Sequence, residues 1–230
     1  MIDNKKLIAK RDSLITLCEL LGVSFSDIPF MYPDINFDNF MTRDLASESL
    51  SLNVSKNHST RLEKICNIPF NRDNRTATEY AIDLIYGWFA EDIVIEFLQM
   101  QGFDVERTGV DREREFLSSG RIKSDLDISI TVGKVTKSFD IYFDSQGYWN
   151  KTDKIDVRES KWKSLEKEGA SIICASNSGF GIIDSSIEYT FGPNPLWGGK
   201  NCATVKGIKS KLVSPEVFIK DLKLKMKRND

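Results

Sequence analysis

A mixed α/β domain follows from three observations on this 230-residue chain. Two segments, 4–21 and 79–101, carry apolar residues at helical spacing. Between 123 and 161 three runs alternate apolar and polar residues, the period of strands. The wholly apolar run Ala170–Ala175 then reads as a buried central strand. The predicted architecture is a central mixed sheet flanked by helices, with an N-terminal helical extension.

The elements follow in order. Residues 4–21 form a helix from Leu7, Ile8, Leu14, Ile15, Leu17, Cys18 and Leu21, stopped by Gly22. Residues 23–43 are irregular and aromatic, and 44–66 are polar with a weak helical pattern near Arg61–Cys66. The polar stretch 70–78 marks the domain boundary, so 1–78 is read as an extension and 79–230 as the α/β domain. The helix 79–101 is apolar on two faces and is therefore buried on two faces. One stripe runs Ile82, Tyr86, Phe89, Ile93, Phe97 and Met100; the other holds Leu84, Val94, Ile95 and Leu98. Gly102 ends it. Phe103–Arg107 is a short strand. After the meander, Trp162–Gly169 is a charged helical turn or two, and Gly181–Asp184 continues the strand pattern. PNPLWGGK at 193–200 is a turn cluster. The last helix runs from a Ser214 cap to about Lys227, with Pro215 at its first position and Glu216 in its first turn.

Composition bounds the function. Apolar residues make up 40% and charged residues 29%, with a net charge of −2. That is an ordinary globular balance, and it supplies no global basic field for coating nucleic acid. A local basic patch remains compatible with a nuclease. The four cysteines, Cys18, Cys66, Cys174 and Cys202, are scattered, and His58 is the single histidine. Zinc held by Cys and His is thereby excluded, and His58 reads as a solvated loop residue. Reduced thiols point to an intracellular, cytoplasmic setting. The charged N-terminal helix is not a signal peptide, and no run reaches the ~18 apolar residues of a membrane span.

The meander carries the chemistry. Asp125 and Asp127 are two apart, as are Asp140, Tyr142 and Asp144, and as are Glu159 and Lys161. Residues i and i+2 of a strand share a face. Carboxylates converging on one site are hard oxygen ligands suited to Mg²⁺ or Mn²⁺. A lysine beside them positions water and neutralises charge on a phosphate.

The pattern Ala90-Glu91-x-x-Val94-x-x-Phe97-Leu98, then Lys123-Ser124-Asp125-Leu126, then Glu159-Ser160-Lys161, resembles the PD-(D/E)XK nuclease superfamily. The resemblance covers roughly 80–185 through short, degenerate motifs. It implies an α-β-β-β-α-β core and metal-dependent cleavage of DNA, of restriction or phage type. It implies catalytic roles for Glu91, Asp125, Glu159 and Lys161, with Asp125 and Glu159 holding the metal.

The acidic-x-lysine motif has two placements. Counting strands forward from Asp125 puts it at Asp140-Ile141-Tyr142, where tyrosine replaces lysine. Counting back from the strand 170–175 puts it at Glu159-Ser160-Lys161. We favour the second, which makes 135–145 an inserted outer strand with Asp140 solvated. A plainer reading stands beside each residue. Glu91 would face solvent, with Glu96 its rival for an inward role. Asp125 or Asp127 would be the polar face of a half-exposed strand, Asp125 being favoured for the metal. Glu159 and Lys161 would be a surface ion pair. Tyr148, Trp149 and Trp162 would be packing residues rather than base-stacking platforms. The extension 1–78 would serve target recognition, a homodimer interface, or packing only. Its Arg61, Lys64, Arg72 and Arg75 would touch phosphate or be plain surface.

Overall fold

The computed structural model describes residues 4–24, 77–108, 126–195 and 198–227. The readings placed on 25–76, on 109–125 and on the tail 228–230 lie outside these residues, and Asp125 is among them. By their contacts the described residues divide into two compact units, one ending at Glu96 and the other beginning at Phe97.

The first unit holds α1 (Asn4–Leu21) and most of α2 (Ala77–Met100). Leu14, Leu17, Cys18 and Leu21 of α1 are buried at the spacing the sequence predicts. Burial pushes the Cys18 thiol up to about 12, with Glu19 adding to the effect. The two helices are tied by an ion pair from Lys10 to Asp83, and the Lys10 ammonium lies 5.5 Å from the centre of the Tyr86 ring.

The second unit is built on a five-stranded sheet. Its strands are β1 (Asp104–Arg107), β2 (Ile128–Val132), β3 (Val135–Asp144), β5 (Ser171–Ser176) and β6 (Gly179–Asp184), in the order β1-β2-β3-β5-β6. All neighbours are antiparallel except β3 and β5, which run parallel. Gly102, at φ 82°, turns the chain from α2 into β1, and the Phe103 amide donates to the Leu98 carbonyl at 3.1 Å.

The crossover from β3 to β5 contains α3 (Tyr148–Thr152), β4 (Lys154–Arg158) and α4 (Glu159–Glu168). Here the sequence reading needs two corrections. Residues 135–144 are not an inserted outer strand: β3 is the middle strand of the sheet, hydrogen-bonded on both sides. The third run of the meander, β4, leaves this sheet altogether. It pairs with β8 (Lys200–Lys206), which pairs with β7 (Thr190–Asn194), in a separate antiparallel sheet ordered β4-β8-β7. The β7–β8 hairpin went unread because its alternation is short and interrupted by Gly192 and Pro193.

The core lies on both faces of the large sheet. On one face, Phe180 stacks at 5.4 Å on Phe218 of α5 (Pro215–Lys227) and at 6.2 Å on Phe97. On the other, Ile172, Cys174 and Ile183 join Ile155, Val157, Ala203 and Val205 of the small sheet, with Trp162 and Leu165 of α4 among them. β5 is buried along its whole length, as a continuous apolar run requires. Among the described residues no helix is long and apolar enough to cross a membrane.

Glycine is needed where the segment after β8 crosses β6. A Cβ on Gly181 would sit 2.8 Å from the Lys211 carbonyl oxygen, a backbone atom that cannot turn aside. Gly181→Ala is therefore expected to cost about 1–3 kcal/mol, read as a lower urea midpoint at unchanged slope.

Candidate functional site

The face of β3 that carries Asp140, Tyr142 and Asp144 lies on the side of α4 and the small sheet, because Tyr142 packs against that core and pairs in register with Cys174. Asp140 is 1% exposed. Asp127 lies beside it, at the bend just before β2, where the recorded pairing of Ile128 with Phe139 ends. Asp127 is fixed by the backbone. Its amide donates to the Phe139 carbonyl at 3.1 Å, and its Oδ2 accepts from the Ile141 amide at 2.8 Å. Its carboxyl also hydrogen-bonds to Asp140.

The third member comes from α4. Lys161 Nζ lies 2.7 Å from Asp140 Oδ1. Among the described residues this ammonium is the partner of Oδ1, which is otherwise a buried oxygen. Lys161 is placed by helix geometry. Its neighbour Trp162 is fully buried in the core between the sheets, which fixes the rotation of α4.

Electrostatics follow from this crowding. Burial raises the Asp140 carboxyl well above the usual carboxylate range, the Asp127 charge and hydrogen bond raise it further, and Lys161 opposes both. The Tyr142 hydroxyl is likewise raised, by burial first and then by Asp140 and Asp127.

The structure separates residues the sequence grouped. Glu159 and Lys161 are not on a strand: both lie in the first turn of α4, where residues two apart point about 200° from each other. Lys161 meets Asp140, whereas Glu159 pairs with Lys163 at 2.6 Å. The hydrogen bond from Lys163, then one from Asn201, hold the Glu159 carboxyl below its ordinary value. Asp140, read from sequence as a solvated strand residue, is among the most buried acids described. Glu91 is half-buried on α2 and Asp92 beside it is buried, both in the first unit. Trp149 and Trp162 are core residues, and Tyr148 packs against that core.

Two further acids are occupied by structure. Asp144 Oδ1 accepts from the Gln146 and Tyr148 amides at 3.2 and 2.9 Å, and Oδ2 from the Trp149 amide at 2.7 Å, which starts α3. Asp156, on β4, accepts from Thr204 Oγ1 at 2.7 Å, Tyr148 OH at 3.1 Å and Asn194 Nδ2 at 3.2 Å, and pairs with Lys154 at 3.2 Å. A buried carboxylate so fully satisfied braces a fold. Asp156→Ala is expected to cost about 2–4 kcal/mol in denaturation, because the donors lose their acceptor, and to leave activity per folded molecule unchanged.

The donor set at Asp127 and Asp140 fits a small divalent cation. Both are hard carboxylate ligands, a buried Asp140 oxygen already faces a cation, the Lys161 ammonium, and Mg²⁺ is commonly held by one or two carboxylates plus water. Among the described residues no three acidic, His or Cys side chains come together. Asp125, two residues before Asp127, is outside them. No family model matches the chain, and no curated protein matches it significantly.

Proposed function

We propose that the chain is a metal-dependent endonuclease that hydrolyses DNA phosphodiester bonds. One contact carries the reading: the Lys161 ammonium at 2.7 Å from the buried Asp140 carboxylate, with Asp127 hydrogen-bonded alongside. A buried acid with a half-buried acid and a lysine beside it is costly to a fold, and such groups gather where charge is to be managed. The chain order α2-β1-β2-β3-α3-β4-α4-β5 fits the PD-(D/E)XK pattern that the sequence resembles if α3 and β4 are counted as an insertion. In this version the acidic residue of the motif is Asp140. The lysine is supplied by α4 rather than by position 142, where Tyr142 stands.

Asp140 and Asp127 would hold Mg²⁺ or Mn²⁺; Asp125, the metal ligand that the resemblance implies, lies outside the described residues. The ion supplies acidity to a bound water and charge for the phosphate oxygens. Lys161 would orient the attacking water and stabilise charge at the phosphate. Glu91 keeps the role the resemblance implies for the helix glutamate. Glu159 serves as a ligand only in the version of the motif read at 159–161, and its ties to Lys163 and Asn201 favour a surface role. Residues 1–78 remain candidates for target recognition or a homodimer contact.

The test is plasmid cleavage by the full chain. Nicking of supercoiled DNA that needs Mg²⁺ or Mn²⁺, and is lost in Asp140→Asn, supports the proposal; no cleavage with any divalent ion sinks it. Tyr142 in the lysine position favours a second reading, a degenerate nuclease fold that binds nucleic acid or a protein. Binding without cleavage would select it.

A further inference from the structure

The Asp140–Lys161 pair has an asymmetry that bears on how a cation reaches this carboxylate. The Asp140 side chain is 2% exposed, so it depends on its partners for charge compensation. The Lys161 side chain is 16% exposed and rides on a flexible four-carbon stem at the start of a helix. Its ammonium lies 2.7 Å from Oδ1, and among the described residues it is the partner of that oxygen. A divalent cation on Asp140 needs that same oxygen or its immediate surroundings, and two cations about 3 Å apart repel strongly in a poorly solvated site.

We infer that Lys161 is a tethered counter-ion of Asp140, which a divalent cation must displace to bind. The inference rests on the functional reading above and adds an exchange step to it. The lysine's charge keeps the buried carboxylate compensated before the cation arrives. The exchange lowers the affinity of the site for the cation, because the ion pair is lost on binding. Asp127 stays in place through this step, since the Ile141 amide anchors it.

Two measurements test the exchange on the full chain, using Mn²⁺ as the probe. The first is amine labelling read by mass spectrometry. Saturating Mn²⁺ is expected to raise the labelling rate of Lys161 several-fold and to leave that of Lys163, exposed on the same helix, unchanged. The second is calorimetry at mildly alkaline pH. Lys161→Met is expected to bind Mn²⁺ at least ~10-fold more tightly than the wild type, and Asp140→Asn to lose binding. Should the methionine variant fail to fold, Lys161→Gln replaces it, and the labelling arm needs no variant. Mn²⁺ binding to the wild type with no change in Lys161 labelling overturns the exchange and leaves the nuclease reading standing. Absence of Mn²⁺ binding in the wild type and in both lysine variants overturns the nuclease reading, and the exchange with it.

Discussion

Under the proposed function, replacing Asp140 by asparagine is expected to abolish metal-dependent cleavage and, above the raised value of the carboxyl, to raise the melting temperature. The first effect follows from loss of an anionic ligand at the reacting centre and should reach at least ~10²-fold. The second follows from linkage. Burial, then Asp127, holds the Asp140 carboxyl above its ordinary value, against the pull of Lys161. Between the ordinary and the raised value the folded chain binds more protons than the unfolded chain. Stability from this group is therefore full below the ordinary value and lost as pH rises through the raised one. Above the raised value the ionised carboxylate is a burden on the fold, and a neutral isostere removes it. The Lys161 side chain, 16% exposed, can reach water once its partner is neutral. A gain of about 1–3 kcal/mol is expected, or roughly 3–8 °C in a chain of this size. The wild type should lose stability more steeply than the variant as pH rises from the ordinary carboxylate value through the raised one. Thermal melts across that range decide the matter. An Asp140→Asn protein that melts below the wild type above the raised value would mean that ion pairing with Lys161 outweighs burial.

The residues that make this site were in view in the sequence, but their grouping was not. Periodicity located α1, α2, β1, β5 and the Ser214–Lys227 helix within a residue or two, because each rests on local spacing and a glycine or proline stop. The alternation of 135–144 was equally legible. Its place was not, because a middle strand and an outer strand with acids at every second position look alike until register is known. Asp140 illustrates the point. Flanked by Phe139 and Ile141, it reads as the polar side of an amphipathic strand. It is buried because β3 pairs on both edges and α4 covers that face. The Asp140–Lys161 contact spans twenty-one residues and two sheets, beyond any spacing rule. The Glu159-Ser160-Lys161 triplet misled for a related reason. A two-residue spacing means one face on a strand and opposite faces on a helix, and β4 ends at Arg158. One sequence cue favours the observed arrangement: Trp162, Leu165 and the intervening charged residues have helical spacing, which places Lys161 within the helix rather than before it.

Trp162→Ala is expected to be the most damaging single change in the sheet-bearing unit, and its effect reaches the site as well as the fold. The side chain is fully buried in the core that joins the two sheets. Its ring centre lies 4.8 Å from that of Tyr189, and its Nε1 donates to Glu166 Oε1 at 3.0 Å. Tyr189 OH donates to the same oxygen at 2.8 Å, so one carboxylate aligns both rings. Truncation to alanine should cost about 3–5 kcal/mol, read as a lower urea midpoint. Trp162→Phe keeps an aromatic ring in the core and loses the indole hydrogen bond and part of the volume, which should cost about 1–2 kcal/mol. The two variants separate stability from positioning. Lys161 precedes Trp162 in the first turn of α4, so its reach to Asp140 depends on how the indole locks the helix against the sheets. Under conditions where each protein is fully folded, the alanine variant should cleave at least ~10-fold more slowly than the wild type, whereas the phenylalanine variant stays within a few-fold of it. Equal rates for all three folded proteins would show that Lys161 finds Asp140 without Trp162, and the rigid placement argued from α4 would fall.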